Sequence, residues 1–150
     1  MPTFDYIKKL KDTTDKMVER VSVKDFGAMG DGTHDDTLAF QKALAAHMNV
    51  YVPSGTYIVN NTITLGDYQT LEGAGHSSVI QTASAITLIA IAGSYARLAN
   101  LKLFGGVVGI KLAGVSGPCV QNAVVDIGIW QAQTGVLLDG GTDSNKPVYW

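Results

Sequence analysis

The chain has 150 residues, 46% of them hydrophobic, which is enough for one domain with a buried core. Eleven basic and thirteen acidic residues leave a net charge of −2, and no basic stripe suits nucleic acid or an anionic membrane surface. No apolar run is long enough for membrane insertion, and the single cysteine, Cys119, excludes an intrachain disulfide or a multi-cysteine metal site.

The first segment is short and charged. Ile7, Leu10, Thr14, Met17 and Val21 recur at three- and four-residue steps, and Lys8, Lys9, Lys11, Asp12, Asp15, Lys16, Glu19 and Arg20 surround them. The spacing predicts an amphipathic helix over residues 3–21. Its stripe packs either on its own domain or in a short self-associating bundle. Two to three heptads are too short to hold alone, so a bundle needs the following domain to bring copies together. No secretion signal is read here, because charges stand where its apolar core would be.

Val21–Phe26 alternates like a short strand. Gly27, Gly30 and Gly32 then mark tight turns. The order G-A-M-G-D-G fits neither a dinucleotide fingerprint nor a phosphate loop. Thr33–Asp36 reads as a helix start, with Thr33 as cap and the acids favouring the helix N-terminus. Phe40, Ala43, Leu44 and His47 share the apolar face of that helix, which is expected to end near Met48–Asn49. Capping and turn roles account for Asp31, Asp35 and Asp36 without a metal loop. His34, His47 and His76 share no ligand spacing, so neither a metal nor another cofactor is assigned.

Val50–Val52 and Thr56–Val59 read as strands flanking the Pro53-Ser54-Gly55 turn. From here short apolar strands alternate with Gly, Asn, Ser or Asp. Fourteen of the seventeen glycines lie at or after Gly55, which sets this half apart from the charged start. Ala83–Ala92 reads as a buried strand. The half carries a weak internal repeat. Leu98–Leu103 resembles Val120–Val125 at an offset of 22 (122 − 100), and Gly109–Leu112 resembles Gly135–Leu138 at an offset of 26 (135 − 109). A period in the twenties with short strands is a solenoid signature, in which Asn100 and Asn122 occupy matching bends.

The stretch VKDFGAMGDGTHDDTLAFQKAL, followed by VYVPSGTYIV, resembles the opening of the pectate-lyase-like, right-handed β-helix superfamily, a pattern shared by phage tailspikes, polysaccharide-degrading enzymes and polygalacturonases. Asp25 to Ala28, Gly30 to Gly32, Asp35 to Thr37, Gln41, Ala43, Leu44, Pro53 and Gly55 to Tyr57 carry the match. The fold class expected is mainly β: the first coils of a right-handed parallel β-helix, an N-terminal amphipathic helix and a capping helix. Three segments follow: residues 1–21, a helix for virion attachment or trimerisation; 22–60, the opening motif and cap; 61–150, the coils, with a longer natural chain expected. An open β-helix end exposes apolar stack and unpaired backbone, and Phe40, Ala43 and Leu44 are expected to cover it.

Polygalacturonase-type enzymes also carry Asn-x-Asp, Asp-Asp, Gly-His-Gly and Arg-x-Lys motifs. Here Asp-Asp occurs only at Asp35-Asp36, and His76 stands in Gly75-His76-Ser77. The resemblance therefore points to a phage tailspike or tail fibre. That implies a homotrimer in the virion tail, assembled in the host cytoplasm. It binds a tail or baseplate protein through its N-terminus and bacterial surface polysaccharide through downstream coils. Ile7, Leu10, Thr14, Met17 and Val21 are then the trimer or virion contacts. A truncated cellular polysaccharide hydrolase or lyase is the alternative. Catalytic residues are unassigned. Asp126 and Asp139 form one candidate carboxylate pair if they share a face, and otherwise serve as solubilising acids. Trp130, Tyr149 and Trp150 are candidates for stacking on sugars, with buried or interface packing as the expected role.

Overall fold

The structure, a computed structural model, describes residues 4–9, 20–113 and 121–139. The fold is mainly β and its strands pair in parallel. In chain order they are β1 (Arg20–Ser22), β2 (Asp31–Asp35), β3 (Asn49–Val52), β4 (Gly55–Ile58), β5 (Ile63–Leu65), β6 (Thr70–Gly73), β7 (Ser78–Thr82), β8 (Thr87–Ile91), β9 (Arg97–Gly105), β10 (Val108–Ala113), β11 (Ala123–Trp130) and β12 (Thr134–Asp139). Residues 4–9 are helical (α1), and a second helix, α2, spans Thr37–Ala46.

The strands form three stacks. The first is β1, β3, β6 and the leading halves of β9 and β11. The second is β2, β4, β7 and the trailing halves of β9 and β11. The third is β5, β8, β10 and β12. The chain visits the stacks in this order on each coil, which makes the fold β-helix-like. In the opening turn α2 follows β2 where later coils place a third-stack strand, and it lies against β5.

Parallel register sets like residues on like, and four inward columns follow: Val50–Leu71–Leu98–Val124, Tyr57–Ile80–Leu103–Ile129, Ile63–Ile89–Ile110–Val136 and Leu65–Ile91–Leu112–Leu138. Through the third coil these side chains are buried; Val124, Val136 and Leu138 of the last described coil are exposed. Each fully buried aliphatic side chain contributes about 1.5–3 kcal/mol, so the columns are a main source of the fold's stability.

Several local expectations change. The VSVKDF segment is β1 followed by a 3₁₀ turn, Val23–Phe26. Ser22 Oγ accepts from Lys24 N at 3.2 Å and Asp25 accepts from Ser22 N at 3.0 Å, which closes the chain before a longer strand forms. Val21 is not on the N-terminal helix; it lies in β1, paired with Val50 and packed against the core, because backbone pairing with β3 captures it. Ile7 is exposed on α1, and Leu10, Thr14 and Met17 lie outside the described residues.

The Thr33–Asp36 segment does not start the helix. β2 runs through Asp35 and α2 begins at Thr37. Asp36 stands at the cap position without capping, since its carboxylate accepts from Met29 N at 2.7 Å and Gly30 N at 3.1 Å. The helix closes at Ala46, with His47 already extended because β3 pairing begins at Asn49.

One repeat offset also changes. Leu98 pairs with Val124, 26 residues on (124 − 98), in step with the glycine echo. The residue facing the left-handed bend at Asn100 (φ 55°) is therefore Asp126 (φ 51°). Asn122 instead ties neighbouring coils together: Oδ1 accepts from Ala96 N at 2.8 Å and Nδ2 donates to Gly93 O at 3.0 Å.

Candidate functional site

Alternation along the second stack sends every other side chain outward. Ile80, Leu103 and Ile129 point into the core, so Val79 and Gln81 on β7, Lys102 and Phe104 on β9, and Gly128 and Trp130 on β11 face solvent. Register aligns them as two rows: Gln81–Phe104–Trp130 and Val79–Lys102–Gly128. Trp130 is 57% exposed. The Lys102 ammonium lies 5.2 Å from the Trp130 ring centroid and 5.8 Å from that of Phe104, within reach of both ring quadrupoles.

The bend between the first and second stacks supplies the polar rim. His76, in the β6–β7 connection, places Nε2 3.3 Å from Asp126 Oδ1. Both side chains are exposed, so the pair adds little to stability. Gly128 is the floor beneath them. A Cβ there would lie 3.2 Å from Trp130 Nε1 and 3.7 Å from His76 Cε1, so its absence lets indole and imidazole lean over the strand. The ensemble is an aromatic platform with one cation and a His–Asp pair beside it.

The candidate carboxylates do not converge. Asp126 is at the β11 bend, whereas Asp139 ends β12 in the third stack and pairs with Lys111 Nζ at 2.8 Å. Being on different sheets, they are not a two-carboxylate machine. Glu72 accepts from Asn100 Nδ2 at 3.1 Å, and Asp67 accepts from Ser94 N at 2.7 Å. Trp130 is open to solvent, not buried; its outward parity on β11 decides this. Tyr149, Trp150 and Cys119 lie outside the described residues.

The acids of the opening motif hold turns. Asp31 Oδ1 accepts from Thr33 N at 2.9 Å and His34 N at 3.0 Å, and Oδ2 meets His34 Nδ1 at 2.5 Å. These bonds, the His34 amide first, hold its carboxyl well below the usual range. Asp35 accepts from the Thr37 hydroxyl at 2.5 Å and from Asn60 Nδ2 at 2.9 Å, which lowers its pKa in the same direction. His47 packs its ring edge on Phe26 at 5.8 Å. Among the described residues no three His, Cys, Asp or Glu side chains converge as a metal site.

Grooves of about 340 and 390 Å³ flank α2. The Gln69 side chain between them is committed: Nε2 donates to Leu44 O at 2.5 Å and Oε1 accepts from Gly66 N at 2.8 Å. The grooves follow from the helix–strand junction and gather less chemistry than the outer face. In sequence that face spans His76 to Trp130, and the signal that finds it is the 26-residue step, which puts Trp130 over Phe104.

Comparison with known proteins gives the frame. The family profile "Rhamnogalacturonase A/epimerase, pectate lyase-like" matches residues 20–127. The pre-neck appendage protein of Bacillus phage phi29 is 47% identical over 60 residues, 40% of this chain and 7% of that protein. A probable glucan endo-1,3-beta-glucosidase of Arthroderma benhamiae is 30% identical over 157 residues, 85% of this chain and 18% of that protein. Among solved structures, pre-mature bacteriophage phi29 gene product 12 superposes with a TM-score of 0.69 at 25% identity, over 97% of this chain and 23% of that one. The chain thus spans less than a tenth of the appendage relative and under a quarter of the superposed chain. With the profile covering most of its length, the chain belongs to the rhamnogalacturonase A/epimerase, pectate-lyase-like family.

Proposed function

We propose that the chain is part of a phage tail appendage: the opening coils of a trimeric right-handed β-helix that attaches to the virion tail and recognises host-surface polysaccharide. The observation that carries this reading is the similarity to the phi29 pre-neck appendage protein, 47% identity over 60 residues, and the fold shared with phi29 gene product 12 supports it. The right-handed winding rests on the general preference of parallel crossover connections.

In this reading α2 is the lid of the coil stack. Phe40 and Ala43 are fully buried and Leu44 nearly so, and the Phe40 ring meets Tyr57 edge-on at 5.6 Å. Ile7, Leu10, Thr14 and Met17 form the trimer or virion contact; Phe4, Tyr6 and Ile7 are exposed on α1, an apolar surface that suits burial between copies. Val21, held in β1, is not part of that contact.

Two measurements test the proposal. Light scattering of the purified chain is expected to give a mass near three times 15.9 kDa. Mass spectrometry of purified virions from the source strain is expected to find the chain's peptides among tail proteins; their absence sinks the appendage reading. Similarity to the glucan endo-1,3-beta-glucosidase over 85% of the chain supports a second reading, a portion of a cellular polysaccharide-degrading enzyme. A monomer from a gene with no virion product favours it.

A further inference from the structure

We propose that Tyr68 and Tyr95, stacked at one corner of the coils, are a site of oxidative cross-linking. Hydrogen peroxide, activated by a haem peroxidase, joins their rings as a dityrosine that staples two neighbouring coils together.

Three observations carry it. First, the rings are already paired. Tyr68 lies in the corner between β5 and β6, and Tyr95 in the corner between β8 and β9 one coil on. Their ring centroids are 5.0 Å apart and their planes 2° from parallel. The separation is close to the spacing of about 4.8 Å between stacked strands, so the coil repeat itself sets ring on ring. No other tyrosines stack on each other among the described residues.

Second, the backbone holds the pair in place. Both residues are left-handed, at φ 60° and 59°, a conformation that bulky side chains adopt only where their surroundings fix it. Tyr68 N donates to Ser94 O at 2.9 Å, and Ser94 N donates to Asp67 Oδ1 at 2.7 Å. A Cβ on Gly93 would fall 2.2 Å from the Gly66 carbonyl carbon. The two corners therefore meet backbone to backbone, and neither ring can drift to another partner.

Third, the pair is open to an oxidant. Tyr68 is 60% exposed and Tyr95 46%, which leaves the rings room to slide until their edges meet. Other tyrosines are shielded. Tyr57 is fully buried and donates to Pro53 O at 2.9 Å, and the Arg20 guanidinium lies 3.9 Å over the Tyr51 ring. With one cysteine the chain has no intrachain disulfide; a carbon–carbon link between corners provides a covalent tie that thiols do not reverse.

The step balances. Each phenol gives up one electron and its hydroxyl proton, leaving two phenoxyl radicals. A ring carbon ortho to each oxygen forms the new bond. Those carbons then pass their hydrogens to the oxygens, which restores both phenols. The net loss of two protons and two electrons reduces one hydrogen peroxide to two waters.

The test treats the purified chain, kept dilute, with hydrogen peroxide and a haem peroxidase. The expected product shows blue biphenol fluorescence, runs as a single chain on a denaturing gel and is lighter by two hydrogen atoms. Peptide mapping is expected to join the peptides holding Tyr68 and Tyr95. Tyr68→Phe and Tyr95→Phe keep a ring at each place and should melt with the parent chain before oxidation. Each is expected to lower the yield of intrachain product at least tenfold. The link closes a loop of 27 residues (95 − 68), so the linked chain is expected to melt about 5 °C or more above the untreated one. Tyr95→Phe treated in the same way separates this gain from the effects of methionine oxidation.

Absence of an intrachain product overturns the site, as does a link that maps to other tyrosines or survives both substitutions. Products found only between chains, as multimer bands on the gel, overturn it as well. A linked chain that melts with the treated Tyr95→Phe variant overturns the staple.

Discussion

At the scale of single residues, the opening motif depends on backbone positions that tolerate few side chains. Gly30 sits at φ 65°, and a Cβ there would fall 2.8 Å from the Tyr57 ring. Gly30→Ala therefore combines left-handed strain with overpacking and is expected to cost roughly 2–4 kcal/mol, read as a lower denaturant midpoint. The same turn leans on the buried Asp36 carboxylate, which the two amides of Met29 and Gly30 satisfy. Asp35 makes the motif acid-sensitive. Its folded pKa lies below the ordinary value of 3.8, chiefly through the Thr37 hydroxyl, so ionised Asp35 stabilises the fold above that value and the contribution is lost as pH falls through the depressed pKa. Thermal melts should show stability falling below about pH 4; Asp35→Asn should be less stable at neutral pH and flatter across that acidic window. Tyr57 acts at the other extreme. Burial and the nearby Asp36 charge push it up to about 12. Its contribution is whole below pH 10 and is lost as the pH rises toward 12, and Tyr57→Phe should remove that alkaline component.

At the scale of elements, one helix substitutes for one strand. The third stack begins at β5, whose buried Ile63 and Leu65 would otherwise meet water in the opening turn. α2 packs against β5, its Phe40, Ala43 and Leu44 are buried, and the Phe40–Tyr57 edge contact joins helix to coil. Phe40→Ala is expected to cost about 3–5 kcal/mol and to expose apolar surface at that end, visible as dye binding alongside the loss in melting temperature. An equally drastic cut inside a column, Ile89→Ala, should cost about 2–5 kcal/mol without exposing the end. The contrast between the two separates a lid from ordinary core.

At the scale of the molecule, stability is additive along the axis, because each coil touches only its neighbours. The apolar residues exposed on α1 are the proposed route to assembly. Ile7→Asp is expected to convert a trimer into monomer by light scattering, with far-ultraviolet circular dichroism unchanged. A trimer that survives the substitution moves the contact off this helix.

Much of the architecture is legible in the sequence for a physical reason. Short β-rich segments between turn residues, the glycine echo at 26 residues and the shift from charged to Gly-rich composition all report a repeating parallel coil. Apolar alternation along each strand names its inward side chains. What local pattern misplaces is register. Asn49 pairs with Thr70, Thr70 with Arg97 and Arg97 with Ala123, steps of 21, 27 and 26 residues (70 − 49, 97 − 70, 123 − 97). Corners of unequal length make a sequence offset a poor guide to which residues stack. Hence sequence spacing aligns Asn122 with Asn100, whereas backbone pairing sets Asp126 opposite Asn100. The outer face is only partly legible: the 26-residue step puts Trp130 over Phe104, but the approach of His76 to Asp126 depends on how the corner between stacks folds. The roles of Asp35 and Asp36 were beyond local reading for a related cause. As acids ahead of an apolar helix they read as caps, yet their partners Asn60, Met29 and Gly30 are supplied by the way the chain doubles back on itself. The sequence by itself determined the parallel coil and its apolar interior, because periodicity and turn chemistry are local. Only the tertiary structure decided which outward side chains form a surface and which acids serve as clasps, because both depend on contacts between residues distant along the chain.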